Sequence, residues 1–247
     1  MMFISSPQKP TDQNLIQLIT HAKSLLFNGE IKETETLCRR ALDLDQKNVD
    51  ALGLLGLVAH RTGYKEQARR LLDRAAELAP HEAVHHFRLG NIHHDMGDLD
   101  NAIASYRLAL LKDRCSIAIL VNLANTLLAK HTYDEVIDLS LRALHLVPDC
   151  AEALSNLGQA YIKLGHLSDA YSALAKSVKY SPHNTEYLNN FGVVQQLIGD
   201  VDPAIDTFQR ALELDQHCHL AERNLKITVL NSPKWGLRKL FELHKTL

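Results

Sequence analysis

The 247-residue chain has little of what builds sheets and tight turns. Aromatic residues make up 6%, and its 11 glycines and 7 prolines fall below the share of about 12% that the two usually hold together. Sheet-rich domains lean on β-branched and aromatic side chains joined by many turns, so these shortages favour helices. No apolar run approaches the roughly 18 residues of a membrane-spanning helix, and no membrane partner is expected. An excess of one charge is missing too. Lys and Arg number 27 against 29 Asp and Glu, a net charge of −2, which speaks against a nucleic-acid binder. Cysteine is sparse: Cys38, Cys115, Cys150 and Cys218 lie far apart with no C-x-x-C pair, so neither a zinc knuckle nor a redox motif is supported. Reduced thiols in a cytoplasmic setting are the expectation. Residues 1–14 carry Pro7 and Pro10 and no apolar core of the kind an export signal needs; they read as a flexible tail.

What the chain does have is an internal period. Leu55-Gly56, Leu89-Gly90, Leu123-Ala124, Leu157-Gly158 and Phe191-Gly192 recur every 34 residues. Ala68, Ala102, Val136, Ala170 and Ala204 keep the same step, as do Ala75, Ala109, Ala143, Ser177 and Ala211. Six units follow without insertion or deletion: 15–48, 49–82, 83–116, 117–150, 151–184 and 185–218. Each reads as two helices. In 151–184 the first should run over 151–164 until Gly165, and the second over 168–180 until Ser181-Pro182, because proline cannot continue a helix. The turn residue is Gly29, Gly63, Gly97, Gly165 or Gly199, with His131 the exception. Small residues in the Gly56 and Ala68 series would let helices approach, with Leu72, Tyr106, Leu174 and Phe208 filling the space between. Residues 219–231 start a seventh first helix, and 234–247 read as an amphipathic helix that caps the array.

These residues resemble the tetratricopeptide repeat (TPR) family over six units of the chain, most weakly in the first unit, where Thr34 and Cys38 depart from the pattern. The resemblance implies an all-α, right-handed superhelical solenoid of six stacked helix-turn-helix repeats plus C-terminal capping helices. A protein or peptide would then bind in the concave groove. The physical logic agrees: one helical hairpin cannot bury its own apolar face, whereas stacked neighbours share a core.

With each unit numbered 1 to 34, positions 4, 7, 8 and 11 carry the signature, and positions 2, 6, 9 and 13 form the opposite stripe at 100° per residue. Position 6 reads Thr20, Leu54, Arg88, Asn122, Asn156, Asn190 and Asn224 in successive units, and position 9 adds Asn91, Asn125 and Gln159. Asparagine is a mediocre helix former, so its persistence at one mid-helix position asks for a use. A carboxamide has both donors and an acceptor and can grip a peptide unit through its N–H and C=O. The row is therefore expected to hold an extended polypeptide backbone. Glu152 and Glu186 at position 2, with Arg61 and Arg88, would bias which segment enters, and Leu54 and Leu57 would give an apolar landing area.

The asparagine row resembles the repeat region of O-linked N-acetylglucosamine transferases, and the tail segments 220–225, 230–233 and 240–241 with His244 resemble the join between repeats and catalytic domain in bacterial relatives. That resemblance implies a substrate-recognition arm without its catalytic domain. A third reading is an assembly scaffold acting through its convex surface or ends. Capture of a chaperone's C-terminal carboxylate is disfavoured, since only asparagines match that pattern and Glu152 would repel the ligand. No catalytic constellation, cofactor loop or metal motif appears. Gly53 and Gly56 sit within a helix with no strand before them, and the dense histidines His81, His85, His86, His93 and His94 read as packing or surface groups. His60 and His94, both at position 12, are expected as neighbours.

Overall fold

The computed structural model describes residues 10–232, which form α-helices joined by short turns, with no strand among the described residues. The helices are α1 (Pro10–Phe27), α2 (Ile31–Leu44), α3 (Val49–Arg61), α4 (Lys65–Leu78), α5 (Ala83–Asp95), α6 (Leu99–Lys112), α7 (Ile117–Ala129), α8 (Tyr133–Leu146), α9 (Ala151–Leu164), α10 (Leu167–Tyr180), α11 (Thr185–Leu197), α12 (Val201–Leu214) and α13 (His219–Asn231). Helix α1 begins at Pro10, so residues 10–14, expected in a tail, are helical. The amphipathic helix expected over 234–247 lies outside the described residues, as do residues 1–9.

The chain divides into two compact units, Met1–Ile119 and Leu120–Leu247. In the first, α1 packs on α2, α3 on α4 and α5 on α6, and each hairpin packs on the next. In the second, α8 meets α9, and α9 to α13 stack in the same order. Within each unit the helices touch only partners one or two places along the chain. This is an all-α solenoid of helical hairpins.

The turn inside each hairpin shows why the sequence breaks where it does. At the end of α3, Gly63 takes φ 86°, its N–H donates to the His60 carbonyl and the Tyr64 N–H to the Ala59 carbonyl. These two bonds satisfy carbonyls that the helix end leaves open, and they require a left-handed residue that glycine supplies without a Cβ clash. His131 fills the same place after α7 at φ 60°, the one described non-glycine residue with positive φ, and its Nδ1 lies 2.9 Å from the Tyr133 hydroxyl.

Packing within a hairpin depends on a size exchange. Gly90 of α5 faces Tyr106 of α6, and a Cβ on Gly90 would stand 2.4 Å from the ring; Gly158 of α9 stands in the same relation to Leu174 of α10. Where position 8 is glycine, position 24 is large. Where position 8 is alanine, in Ala22 and Ala124, position 24 is the small Cys38 or Ser140. Thr34 and Cys38, which depart from the repeat pattern, are nevertheless fully buried in the core of the first hairpin.

Candidate functional site

The stripe at positions 2, 6, 9 and 13 lies on the first helix of each hairpin, and the structure fixes how these helices meet. Successive first helices touch directly: α1 with α3, α3 with α5, α9 with α11 and α11 with α13. Their side chains meet at a separation of 35 residues. Asn156 Nδ2 donates to the Val121 carbonyl at 3.3 Å, Asn190 Nδ2 to Ser155 Oγ at 3.3 Å, and Asn224 Nδ2 to Asn189 Oδ1 at 2.8 Å. Position 6 of one unit thus reaches back to position 5 of the unit before it. In the first compact unit Arg61 Nη1 reaches the Leu26 carbonyl at 3.2 Å over the same separation.

This register corrects part of the sequence reading. Asn156 is 6% exposed, and its amide closes onto the neighbouring helix, so it does not reach a visiting backbone. Leu54, placed in an apolar landing area, is buried in the core shared by α1, α2 and α3, while Leu57 is half-buried. Position 6 lies at the edge of the stripe, where the preceding first helix covers it. Asn190 and Asn224 are half-buried and keep one side open. Asn122 is also half-buried, on α7, and Asn125 of the same helix is exposed. Gln159 Nε2 lies 3.4 Å from Ser155 Oγ, so Asn190 and Gln159 converge on one buried hydroxyl. Asn91 accepts from the Tyr106 hydroxyl at 2.7 Å, tying the stripe to the hairpin core. Ser155 and Asn189, the acceptors, escaped the sequence reading. Their signal was present: both are polar residues beside the apolar signature, each one residue before an asparagine.

The charged members stand as follows. Glu152 of α9 and Glu186 of α11 are exposed. Burial, then the charges of these two carboxylates, push the Tyr187 hydroxyl up to about 12. Arg61 is exposed at the end of α3. Arg88 of α5 is half-buried, and burial pushes its guanidinium below the ordinary arginine range, the nearby Arg61 adding to this and Asp50 opposing it.

The histidines serve as packing and bridging groups. His60 Nε2 lies 2.7 Å from Asp95 Oδ2, and His94 Nδ1 lies 3.7 Å from Asp95 Oδ1, so the two position-12 histidines meet at one carboxylate. His85 is 2% exposed with Nε2 3.1 Å from Glu82 Oε2, and burial holds its pKa below the usual imidazole value. Among the described residues no group of three or more His, Cys, Asp or Glu is placed to hold a metal ion, and no helix is long and apolar enough to cross a membrane.

Comparison with known proteins agrees with this architecture. Models described as tetratricopeptide repeat match residues 19–83, 61–116, 127–189 and 185–218. The BBSome complex member BBS4 of Bos taurus is 22% identical over 209 residues, 85% of this chain and 40% of that protein. The human protein O-mannosyl-transferase TMTC3 is 24% identical over 238 residues, 90% of this chain and 26% of that protein. The chain thus spans less than half the length of these curated relatives. Among solved structures, pilF of Pseudomonas aeruginosa superposes with a TM-score of 0.76 at 15% identity, covering 87% of this chain and 98% of that one. The recurring 34-residue frame, the stacked hairpins and the matching models lead to one conclusion: the chain belongs to the tetratricopeptide repeat family.

Proposed function

We propose that the chain is a protein-binding module that holds an extended polypeptide segment along the groove face of its first helices. The supporting observation is the unused hydrogen-bonding capacity of Asn190 and Asn224. Each amide donates one N–H to the preceding helix, and among the described residues its second N–H and its carbonyl oxygen have no partner. The inter-helix bond fixes each amide's orientation, so little rotamer freedom remains to be lost on binding. Within the second compact unit Asn122, Asn125 and Gln159 extend the polar row, with Glu152 and Glu186 biasing the charge of the segment. Asn156 serves the joint between α7 and α9 and not the ligand.

The test is fluorescence anisotropy with a labelled library of extended peptides. Asn190→Ala with Asn224→Ala should weaken binding about tenfold, the equivalent of one or two lost hydrogen bonds, with helical circular dichroism unchanged. Asn156→Ala should lower the melting temperature and leave affinity alone. Unchanged affinity in the double variant removes the amides from the binding role.

A second reading, the recognition arm of a glycosyltransferase, is favoured by the match over 90% of this chain to a quarter of a protein O-mannosyl-transferase. A native reading frame that continues past Leu247 into a catalytic domain would support it.

A further inference from the structure

The joint between α3 and α5 is built differently from those that link α9, α11 and α13. The later joints are closed by neutral groups, Asn190 on Ser155 and Asn224 on Asn189, whose charge does not change with pH. Between α3 and α5 a histidine sits in the contact. His85 holds position 3 of its unit, where Ala51, Ala153 and Ala221 stand in three other units. It is 2% exposed, and it gains its room from Gly53 at position 5 of α3. A Cβ on Gly53 would stand 2.9 Å from His85 Cε1 and 3.2 Å from Nδ1, so that edge of the ring lies against bare helix backbone.

The two ring nitrogens meet different surroundings. Nε2 lies 3.1 Å from Oε2 of the exposed Glu82 carboxylate, whereas Nδ1 is buried with no hydrogen-bond partner. With its one proton on Nε2, the neutral ring donates to Glu82 and leaves only a lone pair at Nδ1. A second proton puts a donor at Nδ1 with no acceptor, and a charge where water does not reach. The other charges bearing on the ring do not remove that cost. Arg88 of α5 repels the cation, and Asp50 of α3, which attracts it, is held by Lys23 of α1 at 2.9 Å. Helices α4 and α6 also pack on α5 and bring no charge to bear on the ring among the described residues. Burial is the largest influence, and it holds His85 below the ordinary imidazole range.

We propose that His85 is a proton-operated latch: when protonated it leaves its seat over Gly53, and α3 and α5 part at the N-terminal end of α5. The other end of the same joint answers in the opposite sense. There His60 Nε2 of α3 lies 2.7 Å from Asp95 Oδ2 of α5, and a protonated His60 turns that contact into an ion pair. His94 of α5 lies 3.7 Å from the same carboxylate, and Lys65 of α4 donates to the Asp95 backbone carbonyl. Acid therefore frees one end of α5 and tightens the other, so the third hairpin pivots on the second. The seated ring takes a proton less readily than the released ring, which titrates at the ordinary value of about 6.5. The latch is thus closed above pH 6.5 and is progressively released as pH falls below it, with or without a polypeptide on the groove face.

The experiment is hydrogen exchange of the full chain at pH 7.5 and 5.5, read by mass spectrometry as protection corrected for the intrinsic pH dependence of exchange. Protection in the first turns of α5 and the facing turns of α3 should fall several-fold at pH 5.5. About tenfold is the most that one proton released at 6.5 can give over that interval. Helices α9 to α13 should keep their protection. An unchanged α5, or a loss spread evenly over both compact units, overturns the latch. His85→Gln can still donate to Glu82 and does not titrate; it should keep the pH 7.5 protection and lose the acid response, and a response that persists overturns the latch. His60→Gln should leave the response in place, and its loss there would assign the switch to His60 instead. Gly53→Ala asks the same question with every histidine intact. Its Cβ displaces the ring, so α5 should exchange alike at the two pH values. The His85 Cε1–H proton resonance should then titrate close to 6.5, against a lower value in the parent chain. A parent resonance that titrates at 6.5 or above overturns the latch whatever the variants do.

Discussion

Cys38 and Cys115 show how burial changes one side chain's chemistry. Cys38 is fully buried at the position that Leu72, Tyr106, Leu174 and Phe208 fill in their hairpins, and burial followed by the Glu35 charge pushes its thiol up to about 11; Cys115 is exposed. The thiolate is the reactive form, so the native chain should be labelled by iodoacetamide at Cys115 and not at Cys38 at pH 8, as read by mass spectrometry. Rapid native labelling of Cys38 would contradict its place in the core. The linkage has a definite sign. A thiol whose folded pKa lies above its unfolded one holds its proton longer when folded, so this contribution is present below about pH 9 and is lost as pH rises towards 11. At the same scale the asparagine row was only partly legible in advance. Its residue types and spacing stand in the sequence, but a helical wheel treats each helix alone. It cannot show that position 6 is covered by the preceding first helix, which is why Asn156 and Leu54 turned inward while Asn125 stayed exposed.

Between elements, the contact of α9 with α10 sets two effects against each other. Gly158→Ala gains roughly 0.5–1 kcal/mol of helix propensity. The added methyl would stand 2.4 Å from Leu174 Cγ, a branch atom of a fully buried side chain that has nowhere to move. Overpacking of this kind costs typically 1–3 kcal/mol, so the variant should be destabilised by about 1–2 kcal/mol in urea unfolding. A gain in stability would show that the hairpin has slack. Helix boundaries at this scale were legible almost residue by residue. The expected 151–164 is observed as α9, and the expected 168–180 differs from α10 by one residue, because Gly165 and Ser181-Pro182 break the helix chemically. The start of α1 was not legible: residues 1–14 read as a tail, yet proline suits a first helical turn, where its missing N–H would have no partner, and α1 begins at Pro10.

Across the whole molecule, each compact unit is held by contacts between helices one or two places apart. Stability in such an array is close to a sum of hairpin and neighbour terms, and opening can begin locally. Hydrogen exchange read by mass spectrometry should therefore show Gly158→Ala accelerating exchange in α9, α10 and their neighbours while α3 and α4 keep the parent rate. A uniform acceleration along the chain would mean a single cooperative block. The bonds between first helices carry a further implication for how such a chain arises. Asn189 and Asn190 sit side by side, one accepting from the hairpin that follows and the other donating to the hairpin before it. Every duplicated copy of that segment brings both halves of the joint, so gene-level lengthening or shortening by 34 residues reseals itself without any compensating mutation.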